Sequence, residues 1–161
     1  MDTGVNMEDN NLINTVIKEN RNTDLFELIC NNMELDEIDV VNYSPLTLAY
    51  IGDAVFELII RTIVVVDANK AVNKLHKESA NLVKADAQCK MAHSIREMLT
   101  EDEIRIFKRG RNAKSYTKAK NASYSDYRHA TGFEALIGYL YLSKKSDRLM
   151  ELVTEGLKAI R

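Results

Sequence analysis

An all-α architecture is what this sequence predicts, and three observations carry it. The chain has one proline and six glycines in 161 residues, too little punctuation for a fold built from strands and tight turns. Its apolar residues recur at helical spacing over long stretches. Hydrophobic residues make up 45% of the chain, enough for the core of one domain of ordinary size.

The elements follow in order. Residues 1–41, rich in Asn and acids, read as an acidic N-terminal arm, partly ordered, with one amphipathic helix near Leu12 to Leu28. Residues 42–161 read as the folded domain. Pro45, after Ser44 as N-cap, suits the first turn of a helix running to about Val66. A second, long helix is expected from about Ala71 to Leu99, with Leu75, Leu82, Val83, Ala87 and Met91 among its apolar positions. Thr100 and Glu103 have capping-box spacing and open a third helix, which should end near Gly110. An exposed loop follows, then helices over Tyr124 to Leu142 and Ser146 to Ile160.

Cys30 and Cys89 form neither a C-x-x-C pair nor a framework, so the expectation is a reducing compartment and no cysteine-based zinc site. The most apolar run, Phe56 to Val66, is interrupted by Glu57 and Arg61, and the N-terminus has no basic-then-apolar signal. A soluble, cytoplasmic protein with no membrane partner is expected. The net charge of −2 hides a division: residues 1–44 hold ten acids and two bases, the remainder fourteen acids and twenty bases. Between Arg105 and Lys120 lie seven Lys or Arg and no acid. That run suits phosphates, although a solvated charged loop would look the same.

Two acids sit in apolar surroundings. In "LTLAYIGDAVFELIIR", residues 46–61, Leu48, Ile51, Val55, Leu58 and Ile59 form one stripe, and Ala49, Phe56 and Ile60 form another. A helix buried on both sides is expected, with Asp53 carried inward, where an unpaired carboxylate costs several kcal/mol. In "ATGFEALIGYLYLS", residues 130–143, Glu134 is the only charged residue, and Gly132 and Gly138 point to close approach by another helix or a ligand. If Asp53 and Glu134 meet, a cation between them relieves their repulsion, and Mg2+ is the natural candidate. Alternatively each pairs separately, Asp53 with a helix N-terminus or a tyrosine and Glu134 with Arg128 or a histidine.

These motifs resemble a family. "LAYIGDAVFELIIR" is similar to the signature helix of the ribonuclease III catalytic domain, and "TGFEALIGYLYL" to its second acidic helix. "LHKESANLVKADAQ" and "KRGRNAKS" are similar to Mini-ribonuclease III, the short bacterial branch lacking a double-stranded RNA-binding domain. The resemblance covers about residues 42–160. It implies a ribonuclease III endonuclease domain-like helical bundle, a two-fold homodimer, and magnesium-dependent hydrolysis of both strands of double-stranded RNA to 5′-phosphate and 3′-hydroxyl ends. It further implies the 23S ribosomal RNA precursor as substrate, with a ribosomal protein as a possible presenter. Asp53 matches the aspartate of the family's G-D-A/S motif, and Glu134 the glutamate of its E-A-L-I-G motif, as metal ligands and catalytic residues. Three acids of full-length ribonuclease III are replaced here, by Leu46, Ala49 and Thr131, leaving two evident protein ligands.

With no separate binding domain, affinity must come from the catalytic body. Lys108, Arg109, Arg111 and Lys114 are candidates for phosphates, Asn112 and Ser115 for ribose or groove edges, and His76, Lys77 and Lys84 for a second strip. His93 and His129 read as structural. The alternative to a nuclease is a non-catalytic helical module that binds structured RNA or a protein partner.

Overall fold

Asp24 accepts a hydrogen bond from the Glu27 amide (3.0 Å) and so caps α1, Leu25–Asn32. The structure is a computed structural model that describes residues 24–114 and 123–161, and the chain divides into two units, Met1–Ile38 and Asp39–Arg161. Most of the helix expected near Leu12 to Leu28 lies outside the described residues; the described part continues to Asn32.

The second unit is helical throughout its described residues. α2 spans Pro45–Asp67 with proline in its first turn, as expected, although the Ser44 hydroxyl makes no cap bond. The expected single helix from Ala71 to Leu99 is instead α3, Val72–Val83, and α4, Ala85–Ile95, followed by a 3₁₀ turn over Arg96–Met98. Lys84 breaks it, with φ −64° and ψ 154°. At the break, the Gln88 side-chain amide donates to the Val83 carbonyl at 3.0 Å, replacing a helical backbone partner that α3 loses there.

α5, Glu101–Asn112, carries both halves of the expected capping box: the Glu103 amide donates to Thr100 Oγ1, and the Thr100 amide to Glu103 Oε2. It ends at Asn112, near Gly110 as expected, and Gly110 itself lies inside the last turn. Gly110 is buried against α6, where a Cβ would come within 2.7 Å of the Ala135 Cβ. α6 spans Tyr124–Leu142, and α7 spans Ser146–Leu157, with turns rather than helix to Ile160.

α6 is the central element. Ten of its residues are buried, among them Phe133, Leu136, Ile137 and Leu140, and α2, α4 and α5 all pack on it. Phe56 of α2 meets Phe133 edge to face, with ring centroids 5.2 Å apart. α2 buries one face, through Leu48, Ala49, Gly52, Phe56, Ile60 and Val64. Of the other expected stripe, Leu48 is buried with this face, Ile51, Val55 and Ile59 are half-buried and Leu58 is exposed, as is Val65 two turns beyond it.

A second tie joins α7 to the start of α5. Arg148 donates to both oxygens of buried Glu103, at 2.9 and 3.0 Å, and to the Met98 carbonyl at 2.6 Å. Burial alone would raise the Glu103 pKa, but Arg148 and the Thr100 amide outweigh it and hold the carboxyl below its ordinary 4.5. A depressed pKa contributes stability that is present above 4.5 and is lost as the pH falls through the lowered value. Arg148→Met should therefore cost about 3 kcal/mol at neutral pH, because it strands a buried carboxylate. Urea unfolding at neutral pH and below pH 4.5 checks this, with the difference between the two proteins shrinking in acid.

Candidate functional site

The crossing of α2 and α6 positions both acids. A Cβ on Gly52 would lie 1.8 Å from the Glu134 carbonyl oxygen, and one on Gly138 would lie 2.0 Å from that of Leu48. Only hydrogen at these two positions allows the backbones to touch. The pairing of 52 with 134 and 48 with 138 runs the helices antiparallel and sets Asp53 beside Glu134.

Asp53 is not carried into the interior as its surroundings suggested; it lies exposed at the rim of the helix pair, and Glu134 is half-buried. Partial burial and the neighbouring Glu57 raise the Asp53 pKa. Burial, and then the Asp53 charge, push Glu134 up to about 8, with the Gln88 side chain partly offsetting the rise. Neither alternative partner holds: Arg128 donates instead to the Arg111 carbonyl and to Asn112 Oδ1, and the His129 ring bonds the Ser125 carbonyl.

Gln88 is the functional candidate that sequence reasoning missed. It is 2% exposed, and its Oε1 is buried with no hydrogen-bond partner among the described residues. Two carboxylates in mutual repulsion with an unpartnered buried oxygen close by form a set of hard oxygen donors, and Mg2+ or Mn2+ fits it. In the metal-free protein, Glu134 takes up a proton on folding. Its contribution to stability is thus fully present below pH 4.5 and lost as the pH rises through about 8. Chemical denaturation in chelator should show that decline in wild type and not in Glu134→Gln.

The basic candidates divide. His76, Lys77, Lys84, Lys108, Asn112 and Lys114 are exposed, with Lys84 3.6 Å from Asp86. Arg109 is half-buried and donates to the carbonyls of Val41 and Tyr43 at 2.9 and 2.8 Å, tying down the segment that leads into α2. Arg111 bonds Asn112 Oδ1. Ser115 lies outside the described residues. No described helix is long and apolar enough to cross a membrane.

A helical pair that sets two acids side by side is an arrangement a divalent cation fits, and comparison with known proteins gives the class. The family model for the ribonuclease III domain matches residues 46–145. The chain is 54% identical over 122 residues to Mini-ribonuclease 3 of Clostridium tetani, covering 74% of this chain and 80% of that protein. It is 46% identical over 130 residues to Mini-ribonuclease 3 of a Thermoanaerobacter species, covering 81% and 92%. A crystal structure of a Fusobacterium nucleatum protein superposes with a TM-score of 0.67 at 31% identity, covering 74% of this chain and 96% of that one. The chain belongs to the ribonuclease III family, in its Mini-ribonuclease 3 branch. It is an endoribonuclease of a family that acts on double-stranded RNA and uses divalent metal ions.

Proposed function

We propose that this chain cuts both strands of duplex RNA at a magnesium ion held by Asp53 and Glu134. The observation that carries this reading is the acid pair itself, forced together by a glycine-only helix crossing and, among the described residues, given no cationic partner. A divalent cation bound there supplies the charge that lowers the pKa of an attacking water and neutralises the 3′-oxygen as it leaves. The chain's part is to hold the two carboxylates in register. Water adds to phosphorus, the bond to the 3′-oxygen breaks, and the ends are 5′-phosphate and 3′-hydroxyl.

One acid pair serves one strand. Cutting both calls for a second copy, and the exposed stripe of α2, with Leu58 and Val65, is the apolar surface that a two-fold homodimer would cover. Exposed His76, Lys77, Lys84, Lys108 and Lys114 supply contacts to phosphates and 2′-hydroxyls, so recognition follows duplex shape. Arg109, Arg111, Asn112 and Ser115 complete the proposed RNA-binding set. The cellular substrate we propose is the base-paired stem of the 23S ribosomal RNA precursor, in the cytoplasm, where a ribosomal protein presents it. The acidic arm, expected over residues 1–41, is residues 1–38; the catalytic unit is Asp39–Arg161, with Val40 buried in its core and the Val41 carbonyl held by Arg109.

The test is wild-type protein with a labelled RNA duplex, with and without Mg2+. Cleavage of both strands only with the ion supports the reading. Binding without cutting under every divalent ion tried would leave the alternative, an RNA-binding module. Replacing Lys108 or Lys114 by Ala should weaken duplex binding without lowering the rate at saturating RNA. Each loss should reduce the slope of log affinity against log salt by about 1, read by binding at several salt concentrations.

A further inference from the structure

Away from the acid pair, α4 and α6 bring together three soft or borderline ligands that neither helix holds alone. Cys89 and His93 are one turn apart on α4, and His129 projects from α6. One ligand atom from each lies within 4.8 Å of the other two. The His93 and His129 rings are 4.7 Å apart between centroids. His129 Nδ1 is 2.8 Å from the Ser125 carbonyl. That carbonyl can only accept, so Nδ1 carries the proton and Nε2 keeps its lone pair for a ligand, the arrangement that orients metal-bound histidines. Asp126, one turn before His129, stands against the Cys89 thiol, outside the close group of three but within reach of it as a carboxylate donor. A cleft of about 330 Å³ reaches His93 and His129 from solvent, bounded by Arg96, Phe107 and Arg111.

We propose that Cys89, His93 and His129, with Asp126 as fourth ligand, form a zinc site that staples α4 to α6. The set is tetrahedral in number and mixed in softness, which suits Zn2+ and discriminates against Mg2+. Its ligand atoms must close to roughly 3.5 Å from one another, a side-chain rotation for exposed His93. One thiolate and one carboxylate neutralise the ion, and the proton on the thiol leaves as the metal enters. Buried Cys89, pushed up to about 11 by burial and then by Asp126, keeps that proton in the metal-free protein. The site stands independently of the nuclease reading, since no ligand is shared with Asp53 or Glu134. Cysteine spacing alone predicts no cysteine-based zinc site, and the proposed site departs from that expectation by assembling its ligands across two helices.

The experiment is a titration of the full chain with Co2+, in excess Mg2+ to fill any oxygen-donor site, followed by absorbance. The expected result is one Co2+ per chain with a thiolate-to-cobalt charge-transfer band and tetrahedral visible bands, all displaced by Zn2+. Cys89→Ser should abolish the charge-transfer band. His93→Ala, a change at an exposed position that leaves the core intact, should weaken binding at least about tenfold. Zinc should raise the melting temperature of wild type and not of His93→Ala. Binding without a thiolate band, or affinity unchanged in His93→Ala, would overturn the proposal. Asp53→Asn should bind Co2+ here as wild type does, which separates this site from the acid pair.

Discussion

Asp53→Asn and Glu134→Gln should each lose cleavage of duplex RNA by roughly a thousandfold or more while still binding the duplex. The magnitude follows from the role proposed for the pair. Charge stabilisation by a bound cation is worth several kcal/mol in the transition state, and each 1.36 kcal/mol is tenfold in rate. Stability should behave differently. Burial and Asp53 push Glu134 up to about 8, so in metal-free protein near neutral pH it is largely a neutral acid, and Gln has nearly the same shape. Metal-free Glu134→Gln should therefore match wild type below pH 4.5 and be the more stable protein near neutral pH, since only wild type must take up a proton there on folding. Added Mg2+ should raise the melting temperature of wild type and leave that variant unmoved, because only a ligand bound to the native state stabilises it. Single-turnover cleavage together with thermal melts in chelator and in Mg2+ reads both effects.

Gly52→Ala and Gly138→Ala carry the second large effect. Each methyl would sit about 2 Å from a backbone carbonyl oxygen of the facing helix, 1.8 Å for Gly52 and 2.0 Å for Gly138. A carbonyl within a helix cannot swing aside as a side chain can, so the helices must separate along the seam that holds the acids. The expected cost is about 3 kcal/mol or more, which lowers the melting temperature by on the order of 10 °C. The surviving folded fraction should also cut poorly, since separating α2 from α6 moves Asp53 away from Glu134. Melting curves, with cleavage rates normalised to folded protein, test this. An alanine variant with wild-type stability would show that the helices do not meet as described.

The helices that position these acids are largely legible in the sequence. Pro45 in a first turn, the Thr100–Glu103 box and the unbroken apolar run of α6 are local signals, written in the residues that make the contact. The break between α3 and α4 is not local. Lys84 is neither proline nor glycine, and the bond that makes the break tolerable comes from Gln88 reaching back to Val83, so periodicity alone reads one long helix. Gly110 looked like a helix end because glycine often marks one, whereas its reason here is contact with α6.

The same distinction explains the candidate site. Asp53 and Glu134 stood out as lone acids in apolar runs, but the apolar residues on both sides of α2 suggested burial that the single chain does not give Asp53. A stripe of apolar residues carries the same signal whether its cover comes from its own chain or from elsewhere. Gln88 left no trace in spacing, and of the Cys89–His93–His129 group only the one-turn separation of Cys89 and His93 is readable along the chain. The first acts through an orphaned buried oxygen, and the second joins residues of two helices that lie far apart along the chain.

The central claim is that Asp53 and Glu134 hold the ion that cuts RNA, and replacing that ion with Fe2+ tests it most directly. With ascorbate and peroxide, bound iron cleaves the polypeptide nearest to it, and sequencing the fragments locates the ion. The expected result is cuts beside Asp53 and Glu134, suppressed by Mg2+ and absent in Glu134→Gln. RNA cleavage that depends on Mg2+ while no Mg2+-protected cut falls near either acid would contradict it.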